Sequence, residues 1–242
     1  MRNVLITGAA ARLGSAMARE MHRDHRIVIH YRSSGDAAKR LEQALNAIRP
    51  DSAAAVQSNL DTADDCTQLA RCAEEVWGGI DVLVNNASAF HPTPVGSTTE
   101  ADWEQLVGSN LKAPFFLSQA LAQSLARNGG CIVNMADIHA ERPMPGHTIY
   151  SAAKAGLVML TKSLALELAP GVRVNAIAPG AILWPQGAAG DEQNRAQILR
   201  RIPLGRTGCA SDIASTLRFL ACDAPYINGQ VIAVDGGRNL TT

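Results

Sequence analysis

Short apolar runs alternate with longer amphipathic segments along most of the chain. The runs are nearly continuous in Val, Ile, Leu and Ala, which is typical of strands buried on both faces of a parallel sheet. The longer segments repeat apolar residues at helical spacing. The predicted strands are Val4–Thr7, Arg26–His30, Ala53–Gln57, Val82–Asn85, Cys131–Met135, Arg173–Ile177 and Val231–Val234. The predicted helices are Gly14–His22, Asp36–Ile48, Thr62–Trp77, Asp102–Arg127 and Tyr150–Leu168.

This alternation predicts a doubly wound Rossmann-type α/β fold, with about seven parallel strands and helices on both faces of the sheet. No repeat, low-complexity stretch or long linker divides the sequence, so residues 1–242 are expected to form a single domain. Two segments rich in Pro and Gly, His91–Gly96 and Ala178–Gly190, follow strands, at the edge where open α/β sheets bind ligands. The second segment, extended to about 178–201, is expected to be a substrate loop.

Charge and composition exclude several classes of function. Lys plus Arg and Asp plus Glu both number 22, and no basic block occurs, so we expect no nucleic-acid or polybasic membrane binding. No apolar run approaches the ~18 residues of a membrane span, and the first residues do not resemble a signal peptide. The five cysteines have no CxxC spacing and the six histidines are scattered. We therefore expect free thiols in a reducing cytoplasm, and no metal site.

A glycine-containing turn joins the first predicted strand to the first predicted helix. In Thr7–Gly14, with the sequence TGAAARLG, Gly8 permits a tight turn and Gly14 permits close helix–strand packing. The helix that follows presents free N–H groups and a positive dipole end to a pyrophosphate. A plain turn needs the same residues, but the place of this one favours dinucleotide binding. The side chain of Arg12 is expected either to add a positive charge near the cofactor phosphates or to face the substrate.

The end of the second strand indicates which nicotinamide cofactor binds. Sites for NAD usually carry an acidic residue there, whereas His30–Ser33 is followed by no carboxylate before Asp36. Arg32 can pair with a 2′-phosphate and Ser33 can donate a hydrogen bond, although an ordinary solvated arginine is the alternative. The predicted cofactor is therefore NADPH. Asn59–Asp61 lies where an adenine edge can be read, but is also typical of a turn.

Tyr150 and Lys154 are one helical turn apart at the start of a predicted helix. Residues i and i+4 share a helix face, so the phenol and the ammonium can point into one cleft. A free phenol has a pKa near ~10, and a nearby positive charge is expected to lower it and equip the group for proton transfer. The pair predicts an acid–base site, and a helix-surface pair is the alternative.

Four motifs in one order resemble the short-chain dehydrogenase/reductase family over nearly the whole chain. They are TGxxxxxG at Thr7–Gly14, NNA at Asn85–Ala87, YxxxK at Tyr150–Lys154 and PG at Pro179–Gly180. The resemblance implies that Tyr150 is the proton donor and that Lys154 holds the nicotinamide ribose and tunes the tyrosine. It also implies that Asn110 supports Lys154 through a water molecule.

The chain departs from this family thirteen residues before Tyr150. Most members have a serine there, which binds the substrate carbonyl, whereas this chain has Asp137. A carboxylate would repel the alkoxide formed by ketone reduction, but it suits a substrate with ring nitrogens and an amino group. The alternative is a shifted loop in which Asp137 is only a capping residue.

Further sequence features resemble the pteridine reductases specifically. They are TGAAARLG, HYRSS, NNASAFHPTP, NMAD, TIYSAAK, LALELAP and VDGGRNL. The resemblance implies NADPH-dependent reduction of dihydropterins or pterins, and often of folates, in a homotetramer. The tetramer contacts would involve helices matching Asp102–Arg127 and Tyr150–Leu168. A pterin would lie between the nicotinamide and Phe90, since an aromatic face stacks on a flat heteroaromatic ring. Arg12 and Ser88 would contact the pterin and the cofactor phosphates.

Three sets of site residues are predicted, and two other functions stay open. The predicted catalytic residues are Asn110, Asp137, Tyr150 and Lys154. The predicted cofactor-binding residues are Gly8, Arg12, Leu13, His30, Tyr31, Arg32, Ser33, Asn59, Leu60, Asn86, Ala87, Ser88, Tyr150, Lys154, Pro179 and Gly180. The predicted substrate-binding residues are Arg12, Ser88, Phe90, Asp137, Tyr150, Leu183 and Trp184. A general carbonyl reductase, such as a 3-oxoacyl-carrier-protein reductase, should have serine in place of Asp137. A non-catalytic NADP(H)-sensing protein would not need Tyr150.

Overall fold

The structure is a computed structural model that describes residues 1–182 and 192–241 (for 192–194, the backbone alone). The strands are β1 (Asn3–Ile6), β2 (Arg26–Tyr31), β3 (Ala53–Gln57), β4 (Val82–Asn85), β5 (Cys131–Met135), β6 (Arg173–Pro179) and β7 (Val231–Val234). The helices are α1 (Arg12–Met21), α2 (Gly35–Ile48), α3 (Ala63–Trp77), α4 (Glu100–Val107), α5 (Ala113–Arg127), α6 (Thr148–Glu167), α7 (Glu192–Arg200) and α8 (Ala210–Arg218).

The strands form one parallel seven-stranded sheet in the order β3-β2-β1-β4-β5-β6-β7. In β1, Leu5 is in register with Val28 of β2 and with Leu83 of β4. The chain changes direction across the sheet between β1 and β4, so the strand ends open a crevice beside them. The predicted doubly wound parallel sheet is thus confirmed.

Helices cover both faces of the sheet because successive strand side chains point to opposite sides. Val4 and Ile6 of β1 are buried on one face, together with residues of α1, α2 and α8. Leu5 of the same strand is buried on the other face, together with residues of α3, α5 and α6. None of the described helices is long and apolar enough to span a membrane.

The long helix predicted for Asp102–Arg127 is interrupted, which corrects that prediction. Between α4 and α5 lies a π-helical turn, Gly108–Lys112. Pro114 in the first turn of α5 cannot donate a backbone hydrogen bond. The Asn110 side chain donates to the carbonyl of Leu106 at 2.9 Å, one turn earlier. The widened turn therefore accommodates a polar side chain, as π-helical turns at functional sites often do.

The sequence patterns also missed two short helices. Nine-residue α7 is polar, and it occupies part of the segment 178–201 that was predicted as a loop. Nine-residue α8 packs Ile213, Ala214 and Leu217 into the core. A short helix offers too few turns for a clear periodic signal, so neither could be separated from its surroundings by pattern.

Candidate active site

The glycine turn of the predicted cofactor site is held by the segment that follows β4. The hydroxyl oxygen of Thr7 accepts hydrogen bonds from the backbone N–H groups of Asn86 (2.8 Å) and Ala87 (2.9 Å). The Asn86 side chain donates to the carbonyl of Thr7 at 2.7 Å. Thr7 and Asn86 therefore join β1 and β4 at the point where the strand order reverses.

The shape of this turn fits a dinucleotide pyrophosphate. Gly8 has a φ of +62°, which side chains rarely adopt, and a Cβ on Gly14 would lie 2.3 Å from the Gly8 carbonyl oxygen. Only glycine permits this close approach, which keeps the start of α1 tight against the turn. The first N–H groups of a helix have no partner within it, so this end of α1 can bind an anion. Arg12 begins α1 with an exposed side chain and a φ of +51°.

His30 lies beneath the turn and is 2% exposed. Its Nδ1 accepts a hydrogen bond from the Gly8 N–H at 3.1 Å, and its Nε2 lies 3.1 Å from the carbonyl oxygen of Ser58. Because a carbonyl can only accept, we assign the proton to Nε2. Burial lowers the pKa of His30 to about 4. The ring is therefore neutral, and both of its nitrogens are engaged within the protein, so His30 fixes the position of Gly8.

The other predicted cofactor residues lie along the carboxyl edge of the sheet. Arg32 and Ser33 are exposed directly after β2, and half-buried Tyr31 packs near Gly35. Exposed Asn59 and half-buried Leu60 follow β3, while half-buried Leu13 lies in the first turn of α1. Pro179 ends β6, and a Cβ on Gly180 would lie 2.6 Å from that of Asp235. This edge matches the groove in which doubly wound folds bind dinucleotides.

Three of the predicted catalytic residues meet at the end of β5 and the start of α6. The Tyr150 hydroxyl donates a hydrogen bond to Oδ2 of Asp137 at 2.8 Å. Lys154 Nζ donates to the Met135 carbonyl at 2.7 Å and lies 5.6 Å from the centre of the Tyr150 ring. Lys154 is 3% exposed and Tyr150 5%. Asp137 Oδ1 also accepts from the N–H of His139 at 2.8 Å, so it is a capping residue as well as a partner of the phenol.

Burial and the charge of Asp137 shift the pKa of Tyr150 in the direction opposite to the one expected from the sequence. Burial first, and then the charge of Asp137 and its hydrogen bond, raise the pKa of Tyr150 above its usual value. From the sequence we expected Lys154 to lower the pKa of Tyr150, and that expectation is wrong for the cofactor-free chain. Burial lowers the pKa of Lys154 to about 8, and the charge of Asp137 opposes this effect. The carboxylate thus favours the protonated form of both neighbours, so the phenol keeps its proton.

Asn110 anchors the segment that leads to Phe90. Its Oδ1 accepts from the Ser88 hydroxyl at 2.7 Å, and its Nδ2 donates to the Ala89 carbonyl at 2.9 Å. This side chain is 1% exposed, and the π-helical turn aims it at the end of β4. The expected water-mediated support of Lys154 by Asn110 stays a prediction.

Phe90 contacts Tyr150 of this cluster, and 53% of its surface is exposed. Its ring stacks on that of His147, with centroids 4.7 Å apart and planes inclined by 13°. Its edge contact with Tyr150 has a centroid distance of 4.8 Å and an angle of 80°. Sequence reasoning missed His147, whose only signal was its place just before the YxxxK motif. Leu183 and Trp184, predicted to contact the substrate, lie outside the described residues.

The chain is similar in sequence to known proteins over nearly its whole length. A family model described as enoyl-(acyl carrier protein) reductase matches residues 8–239. Pteridine reductase 1 of Leishmania tarentolae is 38% identical, over 98% of this chain and 96% of the relative. The 3-oxoacyl-(acyl-carrier-protein) reductase FabG of Staphylococcus aureus is 35% identical, over 98% and 97%. 3beta-hydroxysteroid dehydrogenase 1 of Eggerthella lenta is 37% identical, over 99% of this chain and 94% of the relative. The chain belongs to the short-chain dehydrogenase/reductase family, whose reductases use a nicotinamide cofactor.

Proposed function

We propose that residues 1–242 form one NADPH-dependent reductase domain that converts dihydropterins, and also pterins or dihydrofolate, to the tetrahydro form. The observation that carries the proposal is the hydrogen bond from the Tyr150 hydroxyl to Asp137. A carboxylate accepts hydrogen bonds and has none to donate when it is ionised. It therefore suits a substrate that presents N–H groups beside the nitrogen to be protonated. The exposed ring of Phe90, which contacts Tyr150 at its edge, offers a stacking surface for a flat heterocycle.

In this proposal, the glycine turn and the carboxyl edge of the sheet would hold NADPH, which would supply the hydride for the carbon of a ring C=N bond. Tyr150 donates its proton to the adjacent nitrogen, and the ammonium of Lys154 stabilises the phenolate that remains. Asp137 holds the phenol hydroxyl in place beforehand and accepts an N–H of the substrate. For the second C=N bond, the proton comes from water organised near Arg12. Ser88 contacts the pterin and the cofactor phosphates.

A general carbonyl reductase is the second candidate, because the 3-oxoacyl-(acyl-carrier-protein) reductase is nearly as similar to this chain as the pteridine reductase. Overall identity of this kind does not separate the two activities, since function depends on the site rather than on the fold. Asp137 separates them physically. A ketone oxygen that gains negative charge during reduction would face a carboxylate, whereas a serine hydroxyl would donate a hydrogen bond to it.

Substrate preference is therefore expected to follow residue 137. The purified chain should oxidise NADPH with a 7,8-dihydropterin and not with a 3-oxoacyl thioester. Asp137→Ser should lower kcat/KM for the dihydropterin by about tenfold or more, because it removes one charge-assisted hydrogen bond to the substrate. The measurement is NADPH absorbance with each substrate.

Tyr150→Phe is the control for this assay, since it should remove most turnover and leave NADPH binding intact. If only the thioester is reduced, the chain is a general carbonyl reductase. If neither substrate reacts while NADPH still binds, the chain is an NADP(H)-sensing protein.

Cofactor preference is expected to depend on Arg32, which is exposed after β2 with no acidic residue before Asp36. Arg32→Ala should lower kcat/KM for NADPH by about ten- to a hundredfold, because it removes a charged partner of the 2′-phosphate. Activity with NADH should change little. Arg71→Ala, an exposed arginine on α3, is the matched control. An equal loss with both cofactors would contradict a role in reading the phosphate.

The pH dependence should show the ionisation of Lys154, whose pKa lies at about 8 in the cofactor-free chain. The ammonium form exists below that pH, so kcat/KM should fall as the pH rises through about 8. Asp137→Asn should move this fall to lower pH, because the carboxylate raises the pKa of Lys154. Lys154→Arg should abolish the fall in whatever activity remains, since arginine keeps its charge. A fall that persists near pH 8 in Lys154→Arg would assign it to another group.

We extend the proposal to a homotetramer. Exposed apolar side chains occur on the helices that the resemblance implicates, namely Trp103, Phe115, Met159 and Leu166. Their burial against further copies would remove apolar surface from water. Light scattering should give four times the 25.6 kDa chain mass. Met159→Glu with Leu166→Glu should lower it, while Ile48→Glu, an equally exposed control on α2, should not.

A further inference from the structure

Phe90 needs a partner if its ring is to act as a binding surface. More than half of its surface is exposed, and it belongs to the irregular segment between β4 and α4. An unsupported side chain in such a segment samples several rotamers, and a ligand that stacks on it would have to offset the entropy of ordering it. The contacts of the ring therefore determine how well it can bind.

His147 supplies the face-to-face contact. Its ring lies nearly parallel to that of Phe90, with centroids 4.7 Å apart, and 8% of its own surface is exposed. His147 stacks on Phe90, Tyr150 makes a T-shaped contact with the same ring, and 53% of the Phe90 surface stays exposed for a ligand. The stack thus leaves an exposed aromatic surface beside Tyr150.

His147 is itself held firmly. Its Nδ1 lies 3.0 Å from the carbonyl oxygen of Pro145, which can only accept, so Nδ1 carries a proton. The backbone of His147 accepts from the N–H of Ser151 at 3.0 Å in the first turn of α6. It also forms an isolated parallel bridge with Thr93, three residues beyond Phe90. The His147 backbone is thereby fixed relative to both the Phe90 segment and the helix that carries Tyr150, and the bond to Pro145 orients the imidazole.

We propose that His147 is a positioning residue that holds the Phe90 ring at a fixed angle to Tyr150 and so makes the site selective for flat aromatic substrates. The substrate class rests on the proposed function, whereas the positioning of Phe90 does not. Two properties of the side chain are needed. Its flat face stacks on Phe90, and its Nδ1–H, bonded to Pro145, sets the orientation of that face.

The variants at position 147 separate these two properties. His147→Ala removes both, His147→Phe keeps a flat face without the hydrogen bond, and His147→Asn keeps a donor without the face. For the dihydropterin, we expect KM to rise about three- to tenfold in His147→Ala and His147→Asn, which is the size of one aromatic contact. His147→Phe should recover most of the loss. Since His147 does not take part in proton transfer, kcat should change less than twofold, and NADPH affinity should be unchanged.

A double-mutant cycle tests whether His147 acts through Phe90. In a Phe90→Ala background, His147→Ala should raise KM no further, because its partner is gone. Additive effects in the two backgrounds would overturn the proposal. So would a loss of kcat with an unchanged KM, which would mean that His147 merely supports the start of α6.

A measurement without substrate keeps this proposal separate from the proposed function. The chain has four phenylalanines, so labelling with 4-fluorophenylalanine should give four ¹⁹F resonances, and Phe90→Leu identifies that of Phe90. His147→Ala should shift this resonance towards the free amino-acid value and leave the other three in place, while His147→Phe should keep a displaced resonance. An unmoved Phe90 resonance would overturn the positioning role. If the resonance moves but the wild-type chain reduces no dihydropterin, the positioning holds and the substrate class is wrong.

Discussion

The buried ammonium of Lys154 is the constraint on which the arrangement of the site depends. A lysine charge taken out of water costs several kcal/mol unless nearby groups replace its hydration. The Met135 carbonyl accepts a hydrogen bond from it, and the carboxylate of Asp137 contributes a favourable charge. Both groups stand at or just beyond the end of β5, so α6 has to pack at a fixed height against that strand. Tyr150, one turn earlier on α6, is thereby brought within hydrogen-bond distance of Asp137.

Buried side-chain hydrogen bonds between β4, β5 and α6 support the same arrangement. Asn85 at the end of β4 donates to the Asn134 side chain at 2.8 Å, and Asn134 donates to the Thr161 hydroxyl at 2.9 Å on α6. Each of these groups is at most 4% exposed, so an unmade bond would leave a polar atom without water. The bonds form only if β4, β5 and α6 are in register. A requirement for polar satisfaction therefore aligns the strand ends that carry the site.

The sequence was informative where one local pattern determines the structure. Buried parallel strands are continuous apolar runs, so all seven appeared within two residues of their observed bounds. The close approach of Gly8 and Gly14 follows from residue type and spacing. The π-helical turn at Asn110 did not appear, because it depends on where that amide finds its partners. The contact of Phe90 with His147 was equally invisible, since it joins two irregular segments far apart in the chain. The direction of the Tyr150 pKa was mispredicted because burial depends on packing that no motif encodes.

In the proposed function, the choice of substrate depends on how a ligand replaces the hydrogen bond between Tyr150 and Asp137. The phenol proton is already bonded to a carboxylate, so a ligand has to draw it away and leave the carboxylate satisfied. A ring with an acceptor nitrogen beside an N–H group can do both, because the nitrogen takes the proton while the N–H donates to Asp137. A ketone offers an acceptor alone, and its oxygen becomes more negative as reduction proceeds, opposite a carboxylate that has lost its partner. Relatives of similar identity include enzymes named for both kinds of substrate. Under the proposed function the distinction lies in this single exchange of hydrogen bonds, because the shared fold does not decide it.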